Sequence, residues 1–306
     1  MYFPYLRGRQ FELIALRELV ENSVLSNRIV TIVEPVKLSS TLIKTIQVFA
    51  EAKKNLALVQ NPQIGTFNSD CANEENKSLK EKLQGYGVIA TYHVNEHFRD
   101  DVSGSLRDKS SVVAICKNKD SIPIYEQVFS VDKPLYSLMP DEAVFRRRIP
   151  NNRVMANDRF NKQNRNVDYA QTDDEPFSDD HLYYDLEGWV GFSDYSVIGD
   201  EYEAAGFAPY AVAIHIVYFD KDKSLRVKHF VSDSNDDYSD PAGKFAEAVR
   251  KLVKWNGAAK LDTMGMKKFA ELHSSQTYPG LGTVKKLSIM HHIELMGRFL
   301  DEKREQ

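Results

Sequence analysis

The chain has 306 residues, which is long for one domain and short for two. With 42% hydrophobic and 27% charged residues it can bury a sizeable core, so the composition excludes a globally disordered protein. A net charge of −4 argues against a protein that coats nucleic acid or an anionic membrane, and we expect no direct nucleic-acid binding.

Cysteine content and hydropathy indicate the compartment. The two cysteines, Cys71 and Cys116, are too few for a disulfide framework and lack the spacing of metal ligands. The opening MYFPYLRGRQ has no signal-peptide pattern, and no run of ~20 apolar residues offers a membrane span. We therefore expect a cytoplasmic protein without a membrane partner.

Short apolar strands alternate with amphipathic helices in the first part of the chain. The strands are predicted at 2–6, 28–33, 56–59, 87–92 and 111–116. Between them we predict a helix over 10–24, a second helix capped by Ser39 or Ser40, and a polar helix over 73–84. This alternation is typical of a parallel sheet covered by helices.

The strand count favours a barrel over an open sheet. Further strands predicted at 135–139, 153–156, 188–192 and 211–219 bring the total to eight or nine. No glycine-rich dinucleotide turn follows the first strand, which weakens a Rossmann alternative. We predict one α/β domain over 1–306, a (β/α)8 TIM-barrel-like fold with an irregular second half. Additional C-terminal helices are predicted at 245–254 and 284–300, either covering the barrel or extending beyond it.

Catalytic and metal-binding motifs are incomplete. GFSDY at 191–195 lacks the second glycine of a nucleophile elbow, and DSNDD at 233–237 lacks the glycine and glutamate of a calcium loop. His93 and His97 have the spacing of a metal pair but fall in a predicted loop, and Cys116 ends a buried strand, where cysteine is usually core. From motifs we predict no catalytic residue, no metal and no cofactor.

The remaining ligand-binding candidates follow from position in the fold. In a (β/α)8 barrel, ligands bind at the carboxyl ends of the strands. The candidate residues there are Arg7, Glu34, Asn61, Asn118, Asp158 and Asp194, with Gln60 and His215 as further polar residues at strand ends. Turn formation alone would also place polar residues at these ends.

An acidic, aromatic-rich segment spans residues 166–220, which contain no lysine or arginine. Its part 168–203 carries twelve acidic residues and follows a basic stretch at 146–165. One interpretation is a solvated loop neutralised by that basic stretch. The other is a surface that steers and anchors a basic partner. The candidate partner-binding residues are Asp173, Asp174, Asp179, Asp180, Tyr183, Tyr184 and Trp189.

Three separated blocks of the sequence resemble the Beta protein family of satellite phages and bacteria. They are FPYLRGRQFELIALREL (3–19), GFSDYSVIGDEY (191–202) with AVAIHIVY (211–218), and YPGLGTVKKLSIMHH (278–292). The resemblance runs essentially end to end, with the blocks in a shared order. Beta proteins are encoded beside a killer protein, Gop, so the resemblance implies that this chain counteracts a co-encoded, Gop-like toxin in a phage-defence toxin–antitoxin system. It implies no catalytic residues.

Two classes of function are therefore expected. In the first, the chain is an antitoxin that neutralises its toxin by direct binding, and the barrel is a scaffold. In the second, it is a TIM-barrel enzyme or a small-molecule- or nucleotide-binding regulator, for example a phosphoester hydrolase. The support for that hydrolase is Arg7, Glu34 and Asp194 at strand ends. The incomplete motifs favour the first class, and the barrel favours a pocket.

Overall fold

Short strands and helices alternate along the chain in the computed structural model, which describes residues 1–106, 108–203 and 209–305. The elements of the first half are β1 (Tyr5–Leu6), α1 (Gln10–Glu21), β2 (Thr31–Val33), α2 (Ser40–Glu51), β3 (Leu56–Val59), α3 (Phe67–Ala72), α4 (Lys77–Gln84), β4 (Ile89–His93), β5 (Val113–Ile115), α5 (Ser121–Val128), β6 (Tyr136–Met139), α6 (Ala143–Arg148) and β7 (Arg153–Ala156). Then follow β8 (Asp174–Ser178), α7 (Asp180–Tyr183), β9 (Gly191–Ser193), β10 (Ala213–Phe219), β11 (Leu225–Val231), α8 (Pro241–Ala259), α9 (Met264–Ser274) and α10 (Leu281–Glu305).

The main sheet is a parallel barrel. Its eight strands follow the order β1-β2-β3-β4-β5-β6-β7-β9, and every neighbouring pair is parallel. The sheet closes because Phe3 donates its backbone N–H to the Phe192 carbonyl (2.8 Å) and Tyr5 donates to that of Asp194 (2.9 Å). The predicted (β/α)8 TIM-barrel-like fold with additional C-terminal helices is confirmed.

The interior of the barrel follows from the alternation of side chains along each strand. Its apolar core comprises Phe3, Tyr5, Val30, Ile32, Ala57, Val59, Val113, Ile115, Leu138 and Val154. The sequence also predicts the start of α2 from its capping residue. Ser39, not Ser40, caps α2, and its hydroxyl accepts the backbone N–H of Leu42 (3.2 Å).

A second sheet corrects one prediction. The strand predicted at 211–219 exists as β10, but its assignment to the barrel is wrong, because β10 lies in a three-stranded sheet of order β10-β11-β8. It pairs antiparallel with β11 from Ala213 opposite Val231 to Phe219 opposite Leu225. The cause is a tight local turn in which Asp220 donates its N–H to the Ser224 carbonyl (2.9 Å), since a short turn favours hairpin pairing over a crossover.

Residue contacts divide the chain into two compact units. The barrel unit comprises 1–13, 27–158 and 180–195 and contains all eight barrel strands. The second unit comprises 14–26, 159–179 and 196–306, and its described part contains the three-stranded sheet and α8 to α10. The assignment of the whole chain to one domain stays a prediction. Among the helices that the structure describes, none has both the length and the apolar character to cross a bilayer.

Buried histidines hold α10 within the second unit. His291 donates from Nε2 to the Val217 carbonyl of β10 (2.7 Å), and its Nδ1 lies 2.7 Å from the Thr263 hydroxyl. Burial lowers the pKa of His291 to about 4, so the imidazole is neutral at pH 7. The neighbouring His292 contacts the Ser196 hydroxyl through Nδ1 (3.0 Å). These two histidines therefore satisfy polar groups of the core.

Closure of the barrel requires a glycine in β9. A Cβ atom at Gly191 would lie 2.6 Å from both the Met1 carbonyl oxygen and Phe3 Cε2. We expect Gly191→Ala to lower the free energy of unfolding by about 1–3 kcal/mol through overpacking. The matched control is Gly87→Ala, since a Cβ there meets nothing within 4 Å. Guanidinium denaturation of both variants measures the effect, and equal midpoints would contradict the tight seam.

Candidate functional site

A buried carboxylate, Glu34, is the centre of a polar cluster at the carboxyl ends of β1, β2 and β4. It forms an ion pair with Arg7 and accepts a hydrogen bond from the Tyr5 hydroxyl (2.7 Å). The backbone N–H of Gln63 donates to its Oε1 (2.9 Å), and His93 Nε2 lies 3.0 Å from the same oxygen. Glu34 has no exposed surface, so these four partners replace the water that the carboxylate loses on folding.

Strand alternation explains why these side chains meet. A residue that faces the barrel interior is followed two positions later by a residue on the same face. At four strand ends the interior residue and its polar successor are Tyr5 and Arg7, Ile32 and Glu34, Val59 and Asn61, and Ile115 and Lys117. His93 is itself the last residue of β4. The cluster is thus the polar top layer of the barrel core.

Asn61 fixes the position of His93. The Asn61 amide nitrogen donates to the His93 carbonyl (2.9 Å), and the His93 N–H donates to Asn61 Oδ1 (2.9 Å). Both residues are buried, so this pair of bonds makes the end of β4 rigid. Asn61 therefore supports the imidazole by holding its backbone.

The charges in the cluster set the protonation states. Burial alone would raise the pKa of Glu34, but the hydrogen bond from His93 and the positive charges of Lys117 and Arg7 outweigh burial and hold that pKa well below its usual range. Burial lowers the pKa of His93, although Glu34 acts in the opposite direction. At neutral pH a neutral imidazole therefore lies beside an ionised carboxylate.

This arrangement defines the tautomer of His93. Because an ionised carboxylate only accepts hydrogen bonds, Nε2 of His93 carries the proton and donates it to Glu34. Nδ1 is then an acceptor, and it is buried without a hydrogen-bond partner among the residues that the structure describes. A buried acceptor without a partner costs about 1–3 kcal/mol, so a ligand or water molecule that reached this atom would relieve that cost.

Aromatic rings and a second cation complete the cluster. The Arg7 guanidinium lies 5.3 Å from the Tyr5 ring centroid and 5.2 Å from that of Tyr195, which suits cation–π contacts. The two rings are 4.9 Å apart. Lys117 Nζ is 5.8 Å from the Tyr5 centroid, but the Lys117 side chain reaches solvent. Arg7 is therefore a buried structural cation, and Lys117 is the accessible one.

A cavity of about 360 Å³ opens at the ends of β4 and β5. Its polar lining comprises Gln63, His93, Asn95, Glu96, Lys117, Asn118, Asp120 and Ser121. This volume lies at the lower end of the range for small-molecule sites, ~300–1,000 Å³. The ammonium group of Lys117, the amides and the neutral imidazole can hold an anionic group, while Glu96 and Asp120 restrict that position to the part of the cavity near Lys117 and His93. We call this space the mouth cavity.

The six residues predicted to bind a ligand do not all lie at one site in the structure. Arg7, Glu34 and Asn61 belong to the cluster, and Asn118 lines the mouth cavity. Asp194 is buried and accepts a hydrogen bond from the Tyr2 hydroxyl (2.8 Å), whereas Asp158 is exposed. His215 lies in the second unit.

Sequence reasoning missed the functional atoms of the cluster. His93 was considered only as a metal partner of His97 in a loop; that loop assignment is wrong for His93, which ends β4, while His97 is exposed. Tyr5, Lys117 and Tyr195 are not among the predicted ligand-binding residues. A signal for Lys117 was present in the sequence: continuing the period-two alternation two residues past the last interior residue of β5, Ile115, leads to Lys117.

The predicted partner-binding residues are unevenly accessible. Asp173, just before β8, pairs with Lys228 (3.0 Å), and Asp174 of β8 pairs with Arg226 (2.8 Å). Asp180 and Trp189 are buried, and the half-buried Tyr184 packs on Phe192, so that Asp173, Asp179 and Tyr183 are the exposed members. The part 204–208 of the acidic segment lies outside the described residues. Neither interpretation of the segment is tested by these contacts.

Comparison with known proteins adds no assignment. The chain matches no family model, no curated protein and no solved structure with which it was compared. Within the described residues, no group of three or more histidine, cysteine, aspartate or glutamate side chains is arranged to hold a metal ion. The candidate site therefore rests on its geometry, and membership of the Beta family stays a prediction.

Replacement of Lys117 tests the electrostatics of the cluster. The positive charge of Lys117 lowers the pKa of His93, so we expect Lys117→Met to raise that pKa. The measurement is a pH titration of the His93 ring resonances by NMR. Lys119→Met is the control, because Lys119 is exposed, in the same loop, and pairs with Glu142. Identical His93 titration curves in the two variants would contradict the proximity of Lys117.

Proposed function

We propose that the barrel binds a small anionic ligand in the mouth cavity and acts on it as a hydrolase of the phosphoester type. The observation that carries this proposal is the state of His93, whose Nε2–H is held by Glu34 while Nδ1 is left without a partner at a cavity that Lys117 also lines. An imidazole that a carboxylate orients in this way is a common general base.

Each residue has a distinct part in the proposed reaction. His93 Nδ1 accepts a proton from water as the water oxygen bonds to phosphorus and the ester P–O bond breaks, and Glu34 stabilises the imidazolium that forms. The imidazolium then returns its proton to the leaving alkoxide, which departs as the alcohol. Lys117 binds the anionic group and offsets the charge that develops on its oxygens. Arg7 keeps Glu34 ionised, and Asn61 holds the His93 backbone in place. Of these five residues, His93 and Lys117 line the cavity.

Binding and turnover by two variants test this proposal. With a panel of phosphate monoesters, nucleotides and small carboxylates, we expect Lys117→Met to weaken binding of the preferred anion at least about tenfold by calorimetry. We expect His93→Gln to keep binding but to lower turnover by about 10²–10⁴-fold. Lys119→Met serves as the charge control. If no panel member binds more tightly to the natural chain than to Lys117→Met, the mouth cavity is not an anion site.

A second proposal is that the chain neutralises a co-encoded, Gop-like toxic protein by direct binding in the cytoplasm, within a phage-defence toxin–antitoxin pair. The resemblance of three sequence blocks to the Beta protein family supports it. The surface of the predicted partner segment favours direct binding. Three apolar side chains are exposed within its eight-residue stretch 183–190: Tyr183 (48%), Leu186 (80%) and Val190 (39%). Exposed apolar residues that cluster in this way are typical of protein contacts.

Co-expression tests the second proposal. We expect the adjacent toxin gene alone to arrest growth and co-expression of this chain to restore it. Leu186→Ser should weaken the rescue, because it removes the most exposed apolar side chain of this surface. Val131→Ser is the matched control, since Val131 is 83% exposed elsewhere in the barrel unit. Growth arrest that persists on co-expression, with both proteins soluble, would refute neutralisation.

A further inference from the structure

Two histidines share a short hydrogen bond in the three-stranded sheet of the second unit. His215 of β10 lies opposite His229 of β11, and their Nδ1 atoms are 2.7 Å apart. His229 Nε2 lies 3.1 Å from Oε1 of Glu175 on β8. One side chain from each strand therefore contributes to a continuous chain from Glu175 through His229 to His215.

Hydrogen-bond polarity fixes the tautomers along this chain. The Glu175 carboxylate accepts, so His229 Nε2 carries a proton. Burial lowers the pKa of His229. Burial, together with the repulsion that a protonated His229 and Lys285 would exert, lowers the pKa of His215, so both rings are neutral at pH 7. Nδ1 of His229 is then an acceptor, and His215 must donate from its own Nδ1. The opposite polarity would place an unprotonated nitrogen against the carboxylate.

The consequence is an oriented lone pair on His215. With the proton on Nδ1, Nε2 of His215 is an acceptor, and no hydrogen-bond partner for it occurs in the described part of the chain. The rings of Tyr169 and Phe160 lie 4.6 Å and 5.1 Å from the His215 ring and hold it in place. The ring is therefore fixed by contacts at its sides and at Nδ1, while Nε2 points away from His229.

His215 lines a cavity of about 230 Å³ that belongs wholly to the second unit. Its polar lining includes Lys162, Gln163, Asn166, Lys285 and Ser288. Two lysines and no carboxylate line the cavity, among its described residues. Lys162 Nζ also pairs with Glu203 (2.6 Å) and Glu201 (3.1 Å), so Lys285 contributes most of the positive charge that favours an anion here. The amides and the hydroxyl provide further hydrogen bonds. The small volume restricts the ligand to a compact molecule.

We propose that this cavity is a second ligand site, separate from the mouth cavity, for a small hydroxyl-bearing anion. The ligand hydroxyl donates its proton to Nε2 of His215, and the anionic group lies towards Lys285 and Lys162. Glu175 and His229 are positioning residues, because they act by fixing the tautomer of His215. His215 lines this polar cavity, so a ligand hydroxyl there would supply the hydrogen bond that its acceptor nitrogen lacks.

NMR of the ¹⁵N-histidine-labelled full chain tests the tautomer directly. We expect Nε2 of His215 to be unprotonated and Nδ1 protonated. Glu175→Gln should mix the two tautomers, because an amide can donate to His229 as well as accept from it. His273→Gln, a partly exposed histidine of the same unit, is the control. A His215 ring that carries its proton on Nε2 in the natural chain would overturn the proposal.

Ligand binding is tested with three probes: glycerol 3-phosphate, glycolate and sulfate. We expect the two hydroxyl-bearing anions to shift the His215 Nε2 resonance and to bind at least about tenfold more tightly than sulfate, which lacks a hydroxyl. His215→Phe, which keeps the ring packing, should abolish this preference, and Glu175→Gln should reduce it. Lys117→Met should leave it unchanged, which separates this site from the mouth cavity. Equal binding of all three probes to the natural chain, or no shift at His215 with any probe, would refute the site.

Discussion

An ionised carboxylate without exposed surface is the constraint on which the top of the barrel depends. Glu34 can stay buried and charged only because Arg7, Tyr5, Gln63 and His93 all donate to it. Removing one partner of such a buried ion pair typically costs about 3–5 kcal/mol, because the remaining charge is left uncompensated. The cluster therefore couples β1, β2, β4 and the loop after β3 in one geometry. Gln63 and His93 of this fixed cluster also line the mouth cavity.

The two units use the same chemical arrangement in different surroundings. In each, a carboxylate accepts the Nε2–H of a histidine and thereby determines which imidazole nitrogen is free. In the barrel the nitrogen without a partner is Nδ1 of the same ring, His93. In the small sheet Nδ1 of His229 instead accepts a hydrogen bond from Nδ1 of a second ring, His215, so the acceptor without a partner is Nε2 of His215. Each cavity also contains lysine: Lys117 lines the mouth cavity, and Lys162 and Lys285 line the cavity of the second unit.

The sequence was most informative where strands are apolar and helices amphipathic. Buried parallel strands such as β2 and β3 show as continuous β-branched or leucine-rich runs, so the barrel could be predicted. The run of β10 has the same composition, and only the short turn at 220–224 distinguishes a hairpin from a crossover. Arg7, Glu34 and Asn61 could be predicted from strand ends alone. His93 could not, because its strand extends one residue further than its apolar run indicates and its role depends on burial beside Glu34.

The seam between β1 and β9 has a consequence for synthesis of the chain. The first strand can complete its pairing on this side only after residue 192 has left the ribosome, since Tyr2 pairs with Phe192. Until then one edge of β1 stays open, and an unpaired apolar edge invites association with other chains. The contact that closes the barrel is also among the most distant in sequence within it, which is typical of slow folding steps. Residues 2–6 thus depend, until residue 192 has been synthesised, on whatever keeps an exposed strand from pairing wrongly.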